Sequence, residues 1–229
     1  MRAFSLLLLA CLSPGPPSGE VMLSRYAPAE FELTADPEAP PWRDAPAVVT
    51  ESGRYGEPIA NARTEIRSRW TDGHLYFLFI SRYETLHLRP QPNPDRETWG
   101  LWDYDVVEVF IGHDLERINR YKEFEVSPQN DWIDLDVDRD RDGPKVDWKW
   151  NSGMKSKTRI DEARRTWYCE MAIPWPAIAP RPPRESDQFR LNLYRIEGAE
   201  PNRKYIAWRP VHSPSYHTPE AFGRLILVK

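Results

Sequence analysis

The chain has 229 residues, 40% hydrophobic and 29% charged, with a formal net charge of −4. Its 10 Trp, 10 Tyr and 8 Phe are too many for a disordered segment, and 23 Pro argue against a helical bundle. The acidic balance excludes a global field for nucleic acid, and with only 11 Gly no glycine-rich phosphate loop appears.

The first residues read as an export leader. Met1-Arg2-Ala3 is a short basic start, Phe4 to Ala10 is apolar, and Cys11 is followed by Ser-Pro-Gly-Pro-Pro-Ser-Gly. Residues 1–19 are therefore expected to be a signal peptide, removed before folding. Leu8-Leu9-Ala10-Cys11 also resembles a bacterial lipoprotein cleavage box, so lipidation at Cys11 and plain secretion are both carried forward. The apolar run is too short to span a bilayer, and no transmembrane segment is expected. The other cysteine, Cys169, sits in an apolar strand pattern and reads as a core residue. An acidic exported domain suits a neutral small molecule or polysaccharide better than a polyanion.

Period-2 alternation then recurs along the chain, the mark of half-buried strands. It covers Thr64 to Trp70; Asp72-Gly73 then signals a hairpin turn, His74 to Arg82 reads as a strand buried on both faces, and Asp105 to Ile111, Tyr121 to Val126 and Trp132 to Val137 are further strands. It resumes at Lys155 to Ile160, Thr166 to Ile173, Gln188 to Ile196, Tyr205 to Trp208 and Arg224 to Val228. One helical turn is predicted near Pro176 to Ile178, where a proline at the first position costs no hydrogen bond. Short strands with Pro and Gly between them predict an all-β fold: an antiparallel two-sheet sandwich, one domain over residues 22–229. Trp167, Cys169, Met171 and Ile173 supply one core face; Phe189, Leu191 and Leu193 supply another. Trp42, Trp70, Trp167, Trp175 and Trp208 are expected in the core.

Trp102-Asp-Tyr-Asp105-Val-Val-Glu108-Val-Phe-Ile111 resembles a segment of family 9 carbohydrate-binding modules, in which a Trp precedes an acidic strand. Three more segments agree in order: Trp70 to Leu78, Glu170 to Trp175, and Trp208 to Tyr216 followed by Pro219, Phe222 and Gly223. The resemblance implies a jelly-roll-like sandwich and non-catalytic sugar binding, with Trp102 and Tyr216 as the two walls of a slot. It makes Glu108 a hydrogen-bond acceptor for the sugar. Where the family has Arg and Asn on the next strand, Glu125 and Ser127 stand; where it has Gln, the chain offers Tyr194. Physical chemistry supports such a slot, because a pyranose has apolar C–H faces that seat on aromatic rings and a hydroxyl rim that seeks charged acceptors. No cofactor is required by this reading.

Other readings stay open at this stage. Asp138, Asp140 and Asp142, before Gly143, match the first half of a calcium loop, and the resemblance allows a structural calcium. Arg139 and Arg141 make a solvated turn the plainer account. A glycosidase could use Glu108 and Glu170, given carboxyls about 5 to 9.5 Å apart. A haem domain of the DOMON type would need axial ligands such as Met154 or Met171.

Overall fold

The computed structural model describes residues 20–229; the leader, with Cys11, lies outside the described residues. Fourteen strands among them join one mixed sheet that curls into a half-barrel. In chain order these are β1 (Val21–Tyr26), β2 (Ala47–Thr50), β3 (Ser52–Gly53), β4 (Thr64–Trp70), β5 (His74–Arg82) and β6 (Val106–Gly112). Then come β7 (Arg120–Val126), β8 (Trp132–Asp138), β9 (Val146–Asp147), β10 (Lys155–Asp161) and β11 (Thr166–Pro174). A helical turn, α1 (Trp175–Ile178), precedes β12 (Gln188–Glu197), β13 (Lys204–Ala207) and β14 (Gly223–Val228).

The strand order is β10-β11-β5-β4-β1-β14-β12-β6-β7-β8-β9. One flank is β10, β11, β5 and β4; the other is β12, β6, β7, β8 and β9. The expectation of a purely antiparallel sheet is corrected here: β1 runs parallel to both β4 and β14 and joins the flanks. Val21 to Tyr26 lacks a hairpin partner in sequence, so local patterning cannot reveal its pairing. A second seam runs through β2, which pairs β4, and β3, which pairs β13, with Glu51 alone between them.

Alternation sends one face of each flank inward. Ile66, Phe77, Phe79, Trp167, Cys169 and Met171 from the first flank meet Val107, Val109, Phe124, Leu191 and Leu193 from the second. Each such side chain contributes about 1.5 to 3 kcal/mol when fully buried. All five tryptophans expected in the core are buried, and Cys169 is a buried free thiol. The outward faces differ. That of the first flank is covered by the chain itself, since Phe31, Leu33 and Trp42 pack on Tyr76 and Leu78. That of the second flank carries a separate apolar cluster, including Phe110, Tyr121, Leu135 and Tyr194, and stays partly open. Among the described residues no helix is long and apolar enough to cross a membrane.

Candidate functional site

The open outer face of the second flank holds a cleft of about 610 Å³, within the range of small-molecule sites. Its floor follows from strand register. Tyr194 on β12, Glu108 on β6, Glu125 on β7 and Ile133 on β8 form one cross-strand row. Asn192, Phe110, Glu123 and Leu135 form the next. Because side chains alternate, Glu108, Glu123 and Glu125 all point away from the core and toward the cleft, which they line.

These three carboxyls are unusual in their burial. Glu108 and Glu123 are each 4% exposed and Glu125 is 0% exposed. Among the described residues no other group donates to either Glu125 oxygen or to Oε2 of Glu123; the two carboxyls can share one proton, and His217 Nδ1 stands 3.9 Å from Glu123 Oε2. Burial is the main force on all three, and it favours the protonated form. It pushes Glu123 up to about 7. It pushes Glu108 well above the usual range, with Glu123 adding to the rise and Arg203 opposing it. Glu125 is raised by burial and then by Glu108 and Glu123. Ionising any one of them makes ionising its neighbours harder, because like charges repel.

Aromatic walls stand around this floor. Trp102 sits on a helical turn at Leu101–Asp103, immediately before β6, and is half-buried. Arg203 clamps that turn by donating to the main-chain carbonyls of Asp103 (2.7 Å), Trp102 and Tyr104. Trp99 meets Trp102 edge to face at 4.9 Å and is 57% exposed. On the loop between β13 and β14, Tyr216 lines the cleft with Tyr205, their centroids 5.9 Å apart. The Arg54 guanidinium lies 4.6 Å from the Tyr216 ring and 5.0 Å from that of Tyr205. Contacts of this kind contribute about 0.5 to 2 kcal/mol and fix ring orientation.

Of the residues singled out in the sequence, Trp102, Tyr216, Glu108 and Glu125 come together in this cleft. Tyr194 does not line it. Its ring is 1% exposed, and its hydroxyl accepts from Asn192 Nδ2 (2.7 Å) and donates to the Tyr216 carbonyl (3.1 Å). It therefore positions the Tyr216 loop from behind. His217 also lines the cleft; Nδ1 is 2.7 Å from the Tyr121 hydroxyl, and burial pushes its pKa down. Sequence reading passed over Glu123, Trp99, Tyr205 and Arg203. Glu123 was recoverable, because it shares the face of Glu125 two residues on.

The other candidates lie elsewhere. Glu170 is on the outward face of the first flank, where its carboxylate accepts from Thr34 N (2.8 Å), Ala35 N (2.7 Å) and Trp42 Nε1 (2.9 Å). It is engaged by the chain and does not face Glu108, so the two cannot act as a glycosidase pair. Met154 and Met171 both pack in the main core. Asp138 is bridged by Arg120 at 3.3 Å, Asp140 accepts from Asn119 at 2.7 Å, and Asp142 is exposed. Among the described residues no group of three or more His, Cys, Asp or Glu is placed to hold a metal ion.

A curled β domain with an aromatic-walled recess on one outer face is a ligand-binding module by architecture. The chain belongs to the carbohydrate family 9 binding domain-like family, whose model matches residues 38–229. A protein of Bacteroides uniformis has the same fold, with a TM-score of 0.71 at 14% identity, over 91% of this chain and 99% of that one. A family 9 carbohydrate-binding module from Caldicellulosiruptor kristjanssonii, solved with glucose, gives a TM-score of 0.63 at 15% identity, over 90% of this chain and 95% of that one. An extracellular protein of Arthroderma benhamiae is 28% identical over 140 residues, which are 56% of this chain and 63% of that relative. The match thus spans less than two thirds of that relative's length.

Proposed function

We propose that the protein is a non-catalytic carbohydrate-binding domain and that a saccharide occupies the cleft between Trp102 and Tyr216. The observation that carries this reading is the convergence of those two rings, remote in sequence, on one cleft floored by buried carboxyls. Family membership supports the ligand class, as does the glucose held by a module of the same fold.

The chemistry follows from the parts. Ring faces take the C–H faces of a pyranose, each adding about 1 kcal/mol beyond area burial. Glu108, Glu123 and Glu125 offer acceptors, and whichever keeps its proton offers a donor, to the hydroxyl rim. Tyr194, Arg203 and Arg54 hold the walls. A small, well-hydrated ligand then binds in the micromolar to millimolar range, on the order of 4 to 8 kcal/mol.

The finer features of the fold and setting belong to the same proposal. The two flanks of the curled sheet act as the layers of a jelly-roll-like sandwich. The domain is exported, either freely or through a lipid on Cys11, and mass spectrometry of the mature N-terminus decides between them. Retention on insoluble polysaccharide, together with a glycan array, tests the binding function. Retention of the wild type that is lost in Trp102→Ala is the expected result. Equal retention of both proteins would remove the cleft from consideration.

A further inference from the structure

The charge inside the cleft goes beyond what a neutral sugar demands. Asp103, Glu108, Glu123, Glu125 and Glu200 line it, against a single guanidinium, Arg203. That guanidinium is spent on three main-chain carbonyls of the Trp102 turn. His217, the other basic side chain of the lining, is held toward its neutral form by burial and by Arg139. Among the described residues the lining therefore holds more carboxyls than basic partners, Arg203 acts on Glu108 alone of the floor carboxyls, and burial keeps the floor toward its protonated form until a cation arrives.

Burial sharpens the point. Glu125 is 0% exposed, and among the described residues neither of its oxygens, nor Oε2 of Glu123, meets a donor beyond the one proton the two carboxyls can share. A buried acceptor without a donor costs about 1 to 3 kcal/mol, and more if charged. A ligand that brings donors and positive charge together recovers that cost. An ammonium has three donors and no acceptor, complementary to a pair of carboxyls that release their proton to solvent as it binds. The neighbouring rings of Trp102 and Trp99 add a surface that attracts cations.

We propose that the cleft selects a saccharide carrying a free amine, a 2-amino-2-deoxyhexose unit, whose ammonium is received by Glu123 and Glu125. This rests on the carbohydrate reading of the same cleft and adds the charge of the sugar to it. The ring still seats on Trp102 and Tyr216, so an N-acetylated or plain hexose binds through the walls alone. The difference between the two is the carboxyl–ammonium contact.

The test is calorimetric titration of the protein at neutral pH and physiological salt with three trisaccharides: a β-1,4-linked glucosamine trimer, its N-acetylated counterpart, and cellotriose. The amine form is expected to bind about tenfold more tightly than either neutral form. Glu125→Gln keeps the size and removes the group that can ionise beside the ammonium, and it is expected to bring that ratio to within about threefold; circular dichroism verifies its fold. Glu123→Gln serves the same end if Glu125→Gln does not fold. Equal or tighter binding of the neutral trimers overturns the amine selectivity and leaves the carbohydrate reading standing. An amine preference undiminished in both variants overturns it too, since the charge would then be read elsewhere. If none of the three binds, the amine selectivity falls, and the carbohydrate reading rests on the glycan array alone.

Discussion

Two buried carboxyl regions on the outward faces of this sheet invite comparison. On the first flank, Glu170 is 0% exposed and accepts three hydrogen bonds from the segment Thr34 to Trp42. On the second, Glu108, Glu123 and Glu125 are almost equally buried, yet among the described residues Glu125 has no donor other than a proton shared with Glu123. Residue type and strand position are the same. What differs is the cover: the chain closes over Glu170, whereas aromatic rings stand beside the other three and leave a cleft. A carboxyl completed by its own chain supports the fold, and one left incomplete is available to a ligand.

The largest expected effect breaks the completed side. Glu170→Ala orphans three buried N–H donors, at about 1 kcal/mol each or more. A loss of about 3 kcal/mol lowers Tm by roughly 6 to 12 °C in a domain of this size. Thermal denaturation measures it, and sugar binding at low temperature should persist. Trp102→Ala tests the open side with the opposite outcome: saccharide affinity falls about tenfold or more in calorimetry, while Tm moves by only a few degrees.

A smaller effect separates the two regions by pH. Glu123 is pushed up to about 7 by burial, whereas the unfolded chain titrates near the ordinary glutamate value. The native state therefore holds an extra proton between those values. The stability it contributes is full below the unfolded value and is lost as pH rises through about 7. Thermal scans across that window should show Tm falling as pH rises, and Glu123→Gln should flatten the fall. The smallest effect is that of Tyr194→Phe. It removes the donor to the Tyr216 carbonyl, costs about 1 kcal/mol of stability and weakens sugar binding about threefold in titration.

Much of this was legible in the sequence, and the limits have physical causes. Apolar patterning located β4 to β8 and β10 to β12, because each is a long strand and all but β10 carry buried side chains. It could not locate β1, whose partners β4 and β14 are parallel and, for β14, at the far end of the chain. The segment over Glu170 has no periodicity at all; its role lies in two backbone N–H groups and one indole. Trp102, Tyr216, Glu108 and Glu125 were identifiable from residues resembling a known module. The strand pattern alone does not show that their rings and carboxyls meet. Tyr194 shows the remaining difficulty. Its face is the right one, but its hydroxyl is already committed to the loop in front of it.

The most direct test of the cleft as the sugar site is calorimetric titration of the wild type, Trp102→Ala and Tyr216→Ala against one saccharide identified by the glycan array. The prediction is measurable binding by the wild type and binding weakened about tenfold or more in either variant, with all three retaining cooperative thermal transitions. Undiminished binding by both variants would contradict it.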